Sequence, residues 1–403
     1  MMRGHVLILI LTAILSLANS TFAEDRGWNE LNSQTMNLYL QGNYVQAAKL
    51  GEESLKSAEK TFGTDHPNVA KALNNLGLIY KTQGKYAQAE QLYSRSLAIK
   101  EKIYGIDHPS LITCFNNLAE LAKVQAKYGQ AEFLSKRALM RREKLLGPDH
   151  PKVAISLNNL AGLYTIQGKY AQAEPLYERA LAICEKAYEP NHPSIAQTLN
   201  NLATLYMAEG KLAQAELLYK RSITIYEKTL GQTHPNLAPF LNNLASFYKA
   251  DGKLEKAQEL YERSLKIRIK ALGSEHPDIA QSLNNLGSIY ESRNRLAEAE
   301  ALYNKALQIW SNKLGKEHPY TATALSNLAL LYLHQHKYPQ AERLFESALK
   351  IREKTLGYAH PEVVALLENM VQCHNKNGNT EQAEKLQRRI DQIKSMKVSI
   401  SDR

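Results

Sequence analysis

The stretch HPSIAQTLNNLATLYMAEGKLAQAELLY, His192 to Tyr219, decides the fold, because its punctuation returns throughout the chain. His-Pro recurs every 42 residues, at His66, His108, His150, His192, His234, His276, His318 and His360. Eight positions beyond each His lies an Asn pair, from Asn74-Asn75 to Asn284-Asn285, varied at the end to Ser326-Asn327 and Glu368-Asn369. A fixed period of this length identifies a repeat array, in which each unit buries its apolar face against its neighbours.

Within the unit opened by His66, Ala70, Leu73, Leu76, Gly77 and Tyr80 share one helix face, and Tyr86, Ala89, Tyr93, Leu97 and Ile99 share another. Two helices per unit follow, each expected to have roughly 17 to 19 residues. Pro67 suits the first turn of helix A, where its missing N–H costs nothing, and Gly84-Lys85 forms the turn to helix B. Gly105 closes helix B. One offset of helix B holds only Ala: Ala47, Ala89, Ala131, Ala173, Ala215, Ala257, Ala299, Ala341 and Ala383. A side chain limited to one methyl marks the closest approach of two helices. Some units depart from the pattern. Ala126, Asn294 and His336 stand where a turn Gly is expected, Ala122 replaces a Tyr, and Glu189-Pro190 replaces a helix-ending Gly. In the last unit His374, Gln387 and Asp391 occupy core offsets, as suits the end of a stack.

Leu-Gly/Ala, Tyr, Gly, Tyr, Ala and Tyr at these offsets resemble the tetratricopeptide repeat. The 42-residue period, LNNLA within helix A and endings such as SLAIKEKIYG and RALMRREKLLG resemble the repeats of kinesin light chains and their bacterial relatives. The resemblance implies an all-α, right-handed superhelical solenoid of about nine helix-turn-helix repeats. Its expected division is a signal peptide at 1–23, a degenerate N-terminal repeat at 24–65, seven 42-residue repeats at 66–359, and a C-terminal capping repeat and tail at 360–403.

Arg3 and the apolar run VLILILTAILSL, Val6 to Leu17, followed by ANSTFA, read as a secretory signal cleaved after Ala23. The run is shorter than the ~20 residues of a membrane span, so the mature chain is expected to lack a stable span and to be exported, either periplasmic or secreted. Retention as an anchor is the alternative. Cys114, Cys184 and Cys373 are too few and too scattered for a disulfide framework and are expected as buried small side chains. The formal charge of +10 is spread through the chain and interleaved with Glu, which argues against nucleic acid as a partner.

The repeated His residues read as helix starts. Equivalent atoms in successive repeats lie two helix-packing distances of ~8–10 Å each apart, too far for a shared metal. No phosphate loop, H-E-x-x-H or G-x-S-x-G occurs, so no catalytic residues, metal or cofactors are expected.

Adjacent residues on a helix point ~100° apart, so the two Asn of a pair have different tasks. The second Asn, present in all eight His-Pro units, is expected to be structural. In the resembled family helix A lines a concave groove, and the first Asn takes a groove-facing offset. Asn74, Asn116, Asn158, Asn200, Asn242 and Asn284 are therefore expected to form an amide ladder that binds the main chain of an extended peptide. The alternative is that they bond neighbouring helices. Lys71, Lys81, Lys123 and Lys249 are placed in the same peptide-binding groove. Arg95, Arg137, Arg179, Arg221, Arg263 and Lys305 are expected to bond carbonyls or Glu of the next repeat. The resulting expectation is an exported scaffold or adaptor for protein or peptide partners, of unknown oligomeric state. A structural or envelope-assembly subunit working through its convex face or ends, and a hydrolase with a dispersed site, are the alternatives.

Overall fold

The computed structural model describes residues 27–401, with side chains through residue 395, so the expected signal peptide lies outside the described residues. The described chain is built of helices joined by short turns. Helix α1 covers residues 27–40. Then follow α2 Tyr44–Phe62, α3 Pro67–Thr82, α4 Tyr86–Tyr104, α5 Leu111–Val124, α6 Tyr128–Leu146, α7 Pro151–Ile166, α8 Tyr170–Ala187 and α9 Pro193–Ala208. The remainder are α10 Leu212–Leu230, α11 Ala238–Ala250, α12 Leu254–Leu272, α13 Pro277–Ser292, α14 Leu296–Lys313, α15 Pro319–His334, α16 Tyr338–Leu356, α17 Pro361–Lys376 and α18 Thr380–Ser401. Odd-numbered helices are the A helices and even-numbered ones the B helices, paired in sequence as a tetratricopeptide solenoid requires. Two compact units divide the chain, one ending at Leu118 and the other beginning at Ala119.

Each His-Pro makes the same specific bond, and six of the eight start an α-helix directly, α5 beginning two residues after Pro109 and α11 after a 3₁₀ turn at Pro235. The imidazole Nδ1 accepts the backbone N–H two residues on: His66 from Asn68 at 3.2 Å, His192 from Ser194 at 3.1 Å, His318 from Tyr320 at 3.0 Å. This satisfies one orphan N–H of the first turn, and the following Pro lacks the donor that would otherwise go unmet. An aromatic four residues earlier stacks on some of these rings, as Tyr188 does on His192 at 3.8 Å.

Helix A is shorter than expected, typically 16 residues, because its end is fixed by a turn of defined geometry. After α3, Gly84 N–H bonds Lys81 O and Lys85 N–H bonds Tyr80 O, both at 2.9–3.0 Å, with Gly84 at φ 72°. The same left-handed position is held by Ala126 at φ 55°, Asn294 at φ 59° and His336 at φ 60°. The turn is thus retained where its usual residue is missing. Pro239 enters the first turn of the unit opened by His234, where Pro235–Leu237 form a 3₁₀ turn before α11.

In the first unit Trp28 meets Phe62 edge-on at 5.7 Å and packs with Ala58, Val69 and Leu73. In the second unit a continuous core runs from Val153 to Ile289. The repeated alanines are buried, with Ala173, Ala215, Ala257, Ala299 and Ala341 at 0% exposure, at the tight A–B contact. Gln387 and Asp391 on α18 face solvent and bond each other, whereas His374 is buried.

Successive A helices of the second unit pack on one another, α7 with α9, α9 with α11, α13 with α15 and α15 with α17. Each B helix packs instead on its own A helix and the next. The A layer is therefore the inner side of this unit's curve. The curve brings the end of α5 to the start of α17: His360 Nε2 donates to Val124 O at 3.1 Å. Because His360 Nδ1 accepts from Glu362 N–H, the proton sits on Nε2, and Val124 O is one of the carbonyls left open at the end of α5.

Candidate functional site

The inner face of the second unit presents one stripe per A helix. On α7 it consists of Lys152, Ile155, Asn159 and Ile166, and on α9 of Gln197, Thr204 and Ala208, all exposed and spaced to share one side. Asn159, Gln197 and Thr204 are its uncharged polar members, Lys152 carries a charge at its start, and Ile155 stands 52% exposed within it.

The Asn pairs link this face to the interior. Asn75 Nδ2 donates to Asn32 Oδ1 at 2.8 Å and Asn117 Nδ2 to Asn74 Oδ1 at 2.7 Å in the first unit. In the second, Asn243 Nδ2 donates to Asn200 Oδ1 at 3.1 Å and Asn327 Nδ2 to Asn284 Oδ1 at 2.7 Å. The first Asn of a pair is thus an acceptor for the second Asn of the following repeat. Asn200, Asn242 and Asn284 are buried, and Asn74, Asn116 and Asn158 are half-buried. This placement differs from the expected groove-facing one. The first Asn points between neighbouring A helices, the second donates to it from the next repeat while remaining half-buried, and Asn159 alone among the second Asn from Asn75 to Asn327 is exposed on the open stripe. The ~100° step between adjacent residues separates the two directions but does not say which is inward.

Of the candidate lysines, Lys71 is exposed and lies over the Trp28 ring at 5.5 Å, and Lys81 is half-buried. Lys123 pairs with Glu120 at 2.5 Å. Burial pushes the Lys249 ammonium down from its ordinary value, with the charge of Glu291 opposing. Asn74, Asn116, Lys71 and Lys81 belong to the first unit, and Asn158, Asn200, Asn242, Asn284, Lys123 and Lys249 to the second.

The helix B cations join repeats, though mostly backward in the chain. Arg95 pairs with Glu59 at 2.6 Å, Arg179 with Glu143 at 2.7 Å, Arg221 with Glu185 at 2.8 Å and Arg263 with Glu227 at 2.7 Å, each Glu lying on the preceding B helix. Lys305 pairs with Glu275 at 3.0 Å.

A second recurring contact went unread in the sequence. Tyr164 hydroxyl donates to Glu132 at 3.0 Å, Tyr248 to Glu216 at 2.8 Å and Tyr332 to Glu300 at 2.8 Å. The turn cation three residues past each helix end covers the same ring, with Lys169 Nζ 5.7 Å from the Tyr164 centroid and Lys337 Nζ 5.3 Å from that of Tyr332. Lys136 and then Tyr164 hold the Glu132 carboxyl below the usual range against the opposing effect of burial. The signal was the Glu that follows seven of the nine repeated Ala, all but Ala47 and Ala257, visible once the period is aligned.

The three cysteines are buried and unpaired with one another. Burial pushes the Cys184 and Cys373 thiols up, so they are held protonated. Among the described residues no group of three His, Cys, Asp or Glu side chains is placed to hold a metal ion, and no helix is long and apolar enough to cross a membrane.

A family model described as tetratricopeptide repeat matches residues 36–102, 83–144, 125–186, 153–228, 236–312, 294–354 and 320–390. Among solved structures, repeats of a Podosopora anserina protein described as a kinesin light chain are 32% identical, over 51% of this chain and 97% of that one, with a TM-score of 0.44. BtubC (BKLC) from P. vanneervenii is 25% identical over 58% of this chain and 92% of that one, with a TM-score of 0.44. A Rap protein complexed with competence and sporulation factor is 14% identical over 92% of this chain and 98% of that one, with a TM-score of 0.59, a likeness of fold. None of the curated proteins matches the chain.

Proposed function

We propose, for a chain that belongs to the tetratricopeptide repeat family, that its second unit captures an extended segment of a partner protein on the inner A-helix face. Tetratricopeptide repeat proteins serve generally as scaffolds for protein–protein interaction, and their stacked repeats create long binding surfaces. The observation that carries the finer reading is the set of exposed uncharged polar side chains Asn159, Gln197 and Thr204 within the inward-curving stripe. Amides and hydroxyls spaced along such a face match the alternating donors and acceptors of an extended main chain. The Rap protein, alike in fold, is complexed with competence and sporulation factor, and a bound factor of that kind is compatible with the same architecture here. The partner is met outside the cytoplasm, on the strength of the expected signal at 1–23.

A second reading rests on exposed apolar residues of the B helices: Phe133 at 59%, Met140 at 62% and Leu217 at 67% exposure. These suit docking on the outer layer. Cross-linked capture from exported fractions distinguishes the two. The triple variant Asn159→Ala, Gln197→Ala, Thr204→Ala is expected to lose the partner while retaining its circular dichroism, and Phe133→Ala, Met140→Ala, Leu217→Ala to keep it. The reverse pattern would transfer the function to the outer layer. A mature chain that begins at Met1 and stays in the cytoplasm would remove the exported partner.

A further inference from the structure

The Asn ladder of the second unit breaks between Asn158 and Asn201, and a cavity of about 250 Å³ opens there. Asn201 Oδ1 accepts instead from Gln197 Nε2 at 3.1 Å, and Asn158 Nδ2 donates to Thr198 Oγ1 at 2.9 Å. Asn158 Oδ1 is left buried with no hydrogen-bond partner. A buried acceptor without a donor costs ~1–3 kcal/mol, so its persistence calls for an explanation.

The repeat two units on supplies one. There the ladder is also interrupted, because Asn285 Oδ1 accepts from Gln281 at 2.9 Å. Asn242 nevertheless has partners: with its amide oriented to suit its neighbours it donates to Ser264 Oγ at 3.0 Å and accepts from Arg268 at 3.1 Å. The Arg268 guanidinium also donates to Asp278 O at 3.0 Å and Ser282 Oγ at 2.8 Å. Shifted by two periods, these acceptors are Asn158 Oδ1, Ser194 O and Thr198 Oγ1, and the residue at the Arg268 offset is Cys184. The match is in geometry as well as in sequence, since Thr198 Oγ1 donates to Ser194 O at 3.1 Å as Ser282 Oγ does to Asp278 O at 3.3 Å. Arg142 fills the same offset one repeat earlier, donating to Lys152 O and Ser156 Oγ, each at 2.9 Å. The Cys184 thiol meets the Thr198 side chain but, with one donor on a short side chain, does not replace the guanidinium, and Asn158 Oδ1 stays without a partner.

We infer that the cavity between α7 and α9 is a receptor for an arginine side chain of the bound partner segment, whose guanidinium takes the place that Arg268 fills two repeats on. The volume lies below the ~300–1,000 Å³ of sites that hold whole small molecules and suits a single long side chain. A guanidinium is planar with a fixed fork of donors, as three clustered acceptors require. Tyr188 and Ile155 line the cavity and offer apolar surface to the aliphatic stem. Lys152 stands at the rim, exposed and screened by solvent, while the Glu185 carboxylate next to Cys184 in sequence is taken up by Arg221. The inference rests on the inner-face reading of function and adds the side chain that anchors the segment there.

The test uses the full chain with methyl-labelled isoleucine and N-acetyl-arginine amide as the probe. Saturable shifts at the Ile155 methyl are expected, with N-acetyl-lysine amide and N-acetyl-leucine amide binding at least tenfold more weakly. Cys184→Arg, which supplies the guanidinium from within, is expected to abolish the response, and Thr198→Val, which removes one acceptor while preserving shape, to weaken it about tenfold. No shift at Ile155, equal binding of the leucine probe, or an unchanged response in both variants would overturn the assignment. Random-peptide selection on the same chain, mapped by cross-linking, separates this from the wider reading. Peptides on the inner face that avoid α7 and α9 refute only the arginine receptor, whereas peptides confined to the B helices refute the inner-face function itself.

Discussion

Asn327 Nδ2 donates to Asn284 Oδ1 at 2.7 Å across 43 positions, one more than the 42-residue period. The extra residue makes each bond cross a repeat boundary, so one Asn of a pair reaches back and the other is reached. The bond is half-buried, and its acceptor Asn284 is only 6% exposed. Asn327→Ala is therefore expected to cost ~1–3 kcal/mol in urea unfolding, the penalty of a buried acceptor without its donor. Asn159→Ala, on the open stripe, is expected to change stability by less than ~0.5 kcal/mol.

Gly77→Ala tests the A–B contact in the first unit. A Cβ at Gly77 would lie 2.8 Å from the Tyr93 ring, and Tyr93 is itself fully buried. The ring cannot yield without moving the core, so a loss of ~1–3 kcal/mol is expected on chemical denaturation. Gly287→Ala meets Tyr303 at the same distance and should behave alike.

Ala126→Gly should stabilise. Ala126 holds φ 55°, a conformation that costs a non-Gly residue ~1–2 kcal/mol. The greater freedom of Gly in the unfolded chain returns ~0.4–1 kcal/mol of that, leaving a net gain of about 1 kcal/mol. A thermal melt of the variant beside the parent measures it.

His276 should make the protein acid-sensitive. Burial lowers its pKa below 6.5, outweighing the favourable charge of Asp278, while Arg268 and Lys313 push the same way as burial. Protonation is thus easier in the unfolded chain, so the stabilising contribution is complete above pH 6.5 and is lost as pH falls from 6.5 through the folded value. His276→Asn keeps a capping side chain but does not titrate there. The stability of the parent relative to this variant is expected to decline below pH 6.5 in urea titrations at stepped pH.

Deletion of His192 to Thr233 should leave a shorter, cooperatively melting helical protein, because stability in an array sums over nearest neighbours. The junction places Asn243 one period nearer, in register with Asn158, so the interrupted rung should close. Calorimetry would show a single smaller transition, and loss of any cooperative transition would refute the array description.

The fold was legible because periodicity is a global signal: eight His-Pro pairs and nine alanines at fixed offsets left no other architecture. Helix starts were readable from Pro67 and its equivalents, and the departures at Ala126, Asn294 and His336 proved to be retained left-handed turns. The surface was less legible. Which Asn faces outward depends on a rotation of ~100°, and the pattern of apolar residues constrains helix phase only to within about such a step. The cavity beside Asn158 could not be anticipated from one repeat, since it exists through the difference between Cys184 and Arg268. Comparing repeats with one another, offset by offset, is what exposes it.

The bond from His360 to Val124 gives the second unit a topology as well as a curvature. A stack of repeats without such a tie behaves as a spring, its pitch set by the sum of small rotations between neighbours. A bond between residues 236 positions apart fixes that sum at one value, because every rotation between Val124 and His360 must add up to bring the two atoms to 3.1 Å. A change in the packing of any one repeat in between must then be compensated by the others or break the bond. His360 thus makes the pitch of the intervening repeats a shared property where nearest-neighbour packing alone would leave each free.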